Sequence, residues 1–591
     1  MQWGAAIAAA ILTAALLPSS GAADPGAALN TLRVRLRIAE QQFDPAKNNA
    51  AESNWMVALI MPAPLRYDVL ARPHQLRTNT ADTLPELSAD HRQLTLKIRP
   101  GFYFADDPAF DGKRRELTAE DYVYTLKRHI DPAVRSTQEH YARETFAGFE
   151  EAFQRALKSR KFDYDEPLEG ARAIDRYTLQ LRLTRPLDIS YRLAFCPLFC
   201  AVAREAANRY GERIAEHPVG AGAYRLAQWR RGSQIVLERN PNFRGQHYDE
   251  QAGPGDLAAA QVSAKLRGRP LPLAPRVELS VISEAEPAWL AFQNGELDLL
   301  ILPTNLTENA IDQGRLKPEL TQRGVSMDAS VDGWCSFYSE FNMDDPVVGG
   351  YTPEKVALRR AIGLAQSLAD ETRVFFSGAA RMPESLAPPG TVGLGPSAHA
   401  LAREFDPAKA RSILDTYGYK AVSGEPFRRQ PDSRPLTIHL LSFSDDLRYR
   451  GLEEVWLRDL KAVGLHLEVD KAEAQSVFRQ LRAGNYMLVN AGFCPGFLAL
   501  DQYRFLTSHE LGAFNTARFH LARYDELFDR AEALSPGPEQ AALLQEMDKL
   551  IAAYAPRLMR PNPVNYALGN RGVVGLRADL QFPALARIGF E

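Results

Sequence analysis

The chain has 591 residues, is 45% hydrophobic and 24% charged, and carries a formal net charge of −3; this is ordinary globular composition, with length enough for several compact units. With neither a basic stripe nor a strongly acidic tail, it has no electrostatic pull toward nucleic acid or an anionic membrane, and a nucleic-acid role is set aside. Four cysteines, at 196, 200, 335 and 494, are too few for a disulfide-stapled small scaffold.

The chain opens on an apolar run, Ala5 to Leu17, broken by Pro18 and followed by the small residues Gly21-Ala22-Ala23. This pattern predicts a signal peptide over residues 1–23, cleaved near Ala23 and too short to remain as a membrane span. Its first ten residues contain no Lys or Arg, so only the terminal amine is positive, and no cysteine follows the run to take a lipid anchor. Leu32, Val34, Leu36 and Ile38 then alternate with arginines, the period of a strand with one buried and one wet face. Leu94 to Ile98 and Tyr177 to Leu183 alternate in the same way. Between them Thr118 and Asp121 form a capping box, Leu117 and Tyr122 a hydrophobic staple, and Tyr122, Val123, Leu126 and Ile130 one helical face that Asp131-Pro132 ends.

The spacing Cys196-Pro-Leu-Phe-Cys200 suits a small disulfide in an oxidising compartment and lacks the second pair that zinc would need. The stretch His217–Phe243 predicts a hairpin. Gly220 and Gly222 are read as supplying positive φ at a reversal, Arg231-Gly232-Ser233 as the tight turn, and Asn240-Pro241 as the stop. Residues 251–275 read as a Gly/Ala/Pro-rich loop or linker with a short helical piece, followed by a strand at Arg276–Ile282. A helix over Ala285–Asn294 ends at Gly295 and leads to a strand at Leu297–Ile301. Glu296 and Asp298 look like a catalytic carboxylate pair, but no partner acid or base accompanies them, which argues against catalysis. Thr352-Pro353 and Asp406-Pro407 start further helices, Gly418 ends the second, and amphipathic helices are expected over 452–463, 524–534 and 538–553.

Several of these segments together resemble family 5 of the extracytoplasmic solute-binding proteins, the peptide-binding group of ABC importers. Val219-Gly-Ala-Gly-Ala-Tyr224, Trp229 and Asn240-Pro-Asn-Phe243 are similar to the family's V-G-T-G-P-Y…W…N-P-x-(Y/F) signature, with alanines for Thr and Pro. The helix that begins at Leu117-Thr-Ala-Glu-Asp121, Ala291-Phe-Gln-Asn-Gly-Glu-Leu-Asp298, Phe341-Asn342 and Gly484-Asn-Tyr-Met-Leu488 match further segments in the family's order.

The resemblance implies an α/β fold of the two-lobed periplasmic binding protein type (type II, cluster C-like), with three subdomains and an interlobe ligand cleft. On that basis residues 31–80 and 201–283 would form lobe 1, with the hinge at the end of the second segment, residues 81–200 its extra subdomain, 284–515 lobe 2 and 516–591 a return to lobe 1. It implies no cofactor, no catalysis, a monomer, a small-molecule or peptide ligand, and permease subunits in the inner membrane as partners of a periplasmic protein. Cys335 and Cys494 are then either a pair, as in some family members, or two buried thiols.

Ligand-contact candidates from the resemblance are Asn54 and Trp55 early in the chain, Trp334 and Tyr338 in the second lobe, and the stretch from Gly492 to Leu506. That stretch stands where the family has G-W-x-x-D-x-x-D-P-x-x-(F/Y)-L, whose first Asp holds a peptide's α-ammonium. Asp501 aligns with the second Asp. The ammonium position falls at Leu498 or Gly496, neither charged, so free-N-terminus peptides fit poorly unless Asp501 or the other lobe substitutes. Phe493, Cys494, Phe497, Tyr503 and Arg504 are expected as an aromatic wall with a polar handle, and Asn515 closes the candidate set. Two other classes stay open: an exported hydrolase acting on peptides or glycans, and a sensory or chaperone-like binder.

Overall fold

The alternation that begins at Leu32 becomes the strand Thr31–Leu36, with Leu32, Val34 and Leu36 buried and the intervening arginines half-buried. In the computed structural model, which describes residues 31–39, 42–48, 51–243, 245–331, 333–395, 400–444, 448–494, 496, 498–512, 514–578 and 582–591, this strand is central to a large mixed sheet. The expected signal peptide and its cleavage site lie outside these residues. The strand order is Ser326–Val331, Asn562–Gly569, Leu299–Ile301, Thr31–Leu36, Arg276–Val281, Gln234–Arg239, Tyr224–Arg230, with Ala380–Arg381 added beside Asn562–Gly569. Thr31–Leu36 pairs parallel to both its neighbours, so its hydrogen-bonding edges are filled by segments roughly 240 or more residues away. Asp298 pins the register: it accepts from the Arg33 amide (2.8 Å) and from its guanidinium (2.6 and 2.9 Å), a structural role.

The predicted hairpin forms from Tyr224–Arg230 and Gln234–Arg239, with Gly232 at φ +67° in its turn. The rest of its signature is a clasp. Asn240 donates to the Gly222 carbonyl (3.0 Å) and accepts from the Asn242 amide (3.0 Å), and Tyr224 donates to the Ala274 carbonyl (2.8 Å). A smaller sheet, ordered Glu86–Leu87, Gln93–Lys97, Thr178–Arg182, Ala171–Ala173, shares one continuous apolar core with the large sheet. Against it lies the helix Ala119–His129, where Asp121 reaches back to the Thr118 amide (2.7 Å) as the capping box predicted. Arg128 of the same helix makes a buried two-pronged pair with Asp44, both bonds at 2.9 Å.

The second lobe is built on a five-stranded sheet, ordered His466–Ala472, Thr437–Phe443, Leu488–Phe493, Ser336–Phe341, Arg557–Met559. Adjacent residues of its inner strands, Leu440 and Leu441, Leu488 and Val489, and of its edge strand, Leu558 and Met559, enter two different cores, so the sheet is covered on both faces. Two expected boundaries move. Leu299–Ile301 and Ser326–Val331 pair within the large sheet, so residues 284–331 belong to the first lobe and not the second. The helices Ala522–Glu532 and Pro538–Tyr554 and the strand Arg557–Met559 pack on the second sheet, so the chain returns between Met559 and Asn562 rather than near residue 516. An amphipathic helix announces that it covers a core but not which one, and a strand's partners lie far away in sequence.

One carboxyl of this second core has a measurable signature. Asp548 is buried and accepts from the Tyr503 hydroxyl (3.0 Å) and the Leu386 amide (3.2 Å). Burial pushes it up to about 7, the two hydrogen bonds pulling weakly the other way. Because its folded value lies above the unfolded value of about 3.9, its contribution is full below about pH 4 and is lost as pH rises through about 7. Asp548→Asn, isosteric with the protonated acid, is expected to flatten the decline in unfolding free energy between pH 5 and 8. At pH 8 it should stabilise the fold by on the order of 2–4 kcal/mol. Denaturant titrations across that range check this, and parallel profiles for the two proteins would refute it.

Candidate functional site

The helix Ala51–Ile60 carries Asn54, Trp55 and Ala58 on the face it turns away from the core, and its far end is locked by the Gly-Ala-Gly turn. Gly222 donates to the Ile60 carbonyl (2.8 Å). A Cβ at Gly220 would lie 2.0 Å from that same oxygen, and one at Gly222 would lie 2.4 Å from the Leu59 oxygen. Neither glycine has a positive φ, which corrects the sequence-based reading. These residues are small so that one backbone can lie directly on another.

Trp55 opens onto a cleft enclosing about 1220 Å3 of free space, part of it open to solvent. Its walls come from both lobes. The first lobe contributes the helix Ala51–Ile60, the strand Leu65–Tyr67 with the turn after it, the short helices around Tyr191 to Pro197, and Ala584 with Arg587; the second contributes Trp334, Gly496, Leu498 and Asp501. Most of the lining is apolar and aromatic, with a few charged groups, the usual make-up of a small-molecule site.

Two disulfides frame it. Cys196–Cys200 closes the short helix beside the lining residues Phe195 and Pro197. Cys335–Cys494 ties together the ends of the paired strands Ser336–Phe341 and Leu488–Phe493, next to Trp334 and Gly496. Of the two alternatives for Cys335 and Cys494, the structure has the pair.

The charged groups are organised in pairs. Arg192 of the first lobe bonds Asp501 of the second across the cleft. Nearby, Arg185 of the first lobe and Arg504 of the second share the buried Glu532. Deeper in the first lobe, Arg66 donates to Asp249 (2.7 Å) and pairs with Glu250 (2.6 Å), and Arg587 bonds the same Glu250 through Nε. Burial pushes the Glu250 carboxyl up, but Arg587, Arg66 and the Val69 amide outweigh it and hold it at about 2. The Arg587 guanidinium is shifted down by burial and by Arg66 beside it.

Of the sequence candidates, Asn54, Trp55, Trp334 and Asp501 line the cleft together. So do Gly496 and Leu498, the two uncharged residues at the position aligned with the family's ammonium-binding Asp. The others are elsewhere. Tyr338 is buried in the second sheet with the Arg557 guanidinium 3.7 Å over its ring. Phe493 packs edge-on to Phe505 (4.4 Å between centroids), and Cys494 is consumed by its disulfide. Tyr503 is fully buried against Asp548, Arg504 holds Glu532, and Asn515 spends its amide on the Thr507 and Phe519 carbonyls (2.9 and 2.7 Å). Phe497 lies outside the described residues.

For Tyr503 and Arg504 the cause is local. The motif's second half is a helix, Ala499–Arg504, which turns Asp501 to the cleft and Tyr503 to the core. Sequence reasoning missed Arg66, Tyr67, Tyr191, Arg192, Phe195 and Arg587. The run Tyr191-Arg-Leu-Ala-Phe195 beside Cys196 carried a signal, aromatics flanking a cation at a stapled turn; Arg587 carried none.

Comparison with known proteins places this geometry. The family model for bacterial extracellular solute-binding proteins, family 5 (middle) matches residues 47–515. The periplasmic oligopeptide-binding protein OppA of Escherichia coli K12 is 24% identical over 449 residues, covering 73% of this chain and 72% of that one. Di/tripeptide-binding protein 2 of Pseudomonas aeruginosa is 22% identical, covering 93% and 92%. Among solved structures, HbpA2 of Haemophilus parasuis superposes with a TM-score of 0.71 at 16% identity, covering 95% of this chain and all of that one. DppA of Helicobacter pylori, in complex with the peptide STSA, gives 0.69 at 17% identity, covering 95% and 98%.

Proposed function

Because the chain belongs to family 5 of the bacterial extracellular solute-binding proteins, we propose that it captures a peptide or peptide-like solute in the periplasm by lobe closure and delivers it to an ABC permease. The observation that carries this reading is the cleft itself, walled by aromatic residues of both lobes and crossed by the Arg192–Asp501 pair. A solute touching both walls is bound more tightly when they approach, and that difference in affinity is what shifts the open–closed balance. A micromolar ligand supplies about −8 kcal/mol, ample for a hinge whose states differ by a few. The named relatives are binding proteins for oligopeptides and for di- and tripeptides, which supports a carrier over an exported hydrolase. Among the described residues no helix is long and apolar enough to cross a membrane.

Protein purified from its own host should retain a solute under native mass spectrometry. Returning that solute to the emptied protein should shrink its radius of gyration in solution scattering and leave the solute unaltered. Superimposable scattering curves at saturation, or recovery of a cleaved solute, would overturn the reading.

A further inference from the structure

We propose that the solute is an anion: a peptide-like acid with an apolar body and a blocked or absent amino terminus, its carboxylate seated on Arg587. This deepens the reading above and rests on it. The charge of the cleft is the first ground. Four guanidinium groups, Arg66, Arg72, Arg192 and Arg587, line it against two carboxylates, Asp68 and Asp501; behind the wall stand Glu250, shared by Arg66 and Arg587, and Asp249, bonded to Arg66 and Arg77, so that five guanidinium groups face four carboxylates.

Both lining carboxylates are already committed. Asp501 is paired with Arg192. Asp68 accepts from the Leu70, Ala71 and Gln251 amides (2.8, 3.1 and 3.0 Å) and faces Arg77 at 3.6 Å. An ammonium entering here meets Gly496 and Leu498 and, among the described residues of the lining, no uncommitted negative charge, and burying it unpaired costs several kcal/mol.

Arg587 is the reverse case. Only its Nε is bonded, to Glu250; its two terminal amino groups have no hydrogen-bond partner among the described residues, and the residue is 7% exposed, in the cleft lining. That leaves a fork of donors free for a carboxylate in a site mostly shielded from water. Asn54 supplies the complementary acceptor: its Oδ1 is buried without a partner in the same lining, suited to an amide N–H. Trp55, Tyr191, Phe195 and Trp334 offer aromatic walls for the body between the two.

Isothermal titration calorimetry with four forms of one tripeptide of phenylalanine and alanine tests this. The forms are N-acetylated acid, free amine with free acid, free amine with C-terminal amide, and both ends blocked. The acetylated acid is expected to bind at least about tenfold more tightly than the amine-bearing amide, a gap of about 1.4 kcal/mol, and the gap should narrow as salt is raised. Arg587→Gln should weaken the acid by about tenfold more than it weakens the doubly blocked form; measurable binding of that form shows the variant is folded. A cationic peptide binding as tightly as the acid overturns the proposal while leaving a peptide carrier standing. Equal loss of acid and blocked forms in Arg587→Gln removes the assignment to Arg587. Binding of none of the four overturns the peptide-like reading and this proposal together.

Discussion

Gly220→Ala is expected to destabilise the first lobe by about 3 kcal/mol or more, at the upper end of what overpacking costs. The added methyl would sit 2.0 Å from the Ile60 oxygen, 2.6 Å from the Ile60 carbonyl carbon and 2.9 Å from the Met61 Cα. All three are backbone atoms, so no side chain can swing away. Relief requires moving the end of the helix Ala51–Ile60, which also bears Asn54 and Trp55, so ligand affinity should fall along with stability. Gly232→Ala is the control. At φ +67° with nothing within 4 Å of the new methyl, it pays only for a left-handed alanine, about 1–2 kcal/mol. Chemical denaturation monitored by tryptophan fluorescence separates the two. If Gly220→Ala is no more harmful than Gly232→Ala, the close approach of the turn to the helix is wrong.

The second large effect is expected at Glu340. This fully buried carboxylate accepts from Arg557 through Nε (3.0 Å) and Nη2, from the Tyr486 hydroxyl (3.1 Å) and from Thr516 Oγ1 (2.5 Å). It therefore joins the strands Ser336–Phe341 and Arg557–Met559 to the turns that carry residues 486 and 516. Glu340→Ala strands the Arg557 guanidinium in the core, and leaving one member of a buried pair alone costs about 3–5 kcal/mol. Removing both charges, as Glu340→Leu with Arg557→Met, should recover much of that loss, because desolvation of the pair disappears with the pair. Unfolding free energies of the single and double variants form the test. A single variant within about 1 kcal/mol of the parent would mean that the charge is met by something other than Glu340.

How much of this was legible beforehand depends on whether the signal was local. The capping box at Thr118 and Asp121, the hairpin around Gly232 and the helix stops at Gly295 and Gly418 are set by neighbours a few residues apart, and all appear in the structure. The ordered series of motifs identified the family and with it the two-lobed plan. The candidacy of Asn54, Trp55, Trp334 and Asp501 came from that resemblance rather than from any local rule, while the resemblance left Cys335 and Cys494 open between a pair and two buried thiols.

The sequence alone thus determined the elements, the family and the likeness of its motifs, because caps, turns and periodicities depend on the chain within one or two turns of each residue. Only the tertiary structure decided which lobe owns residues 284–331 and the last two long helices, why Gly220 and Gly222 must be small, and which candidates face the cleft. Strand partners, backbone-to-backbone contacts and the charge balance of a cavity are made by residues remote in sequence. Arg587, met by Glu250 from over three hundred residues earlier, acquires its meaning only when the chain has folded.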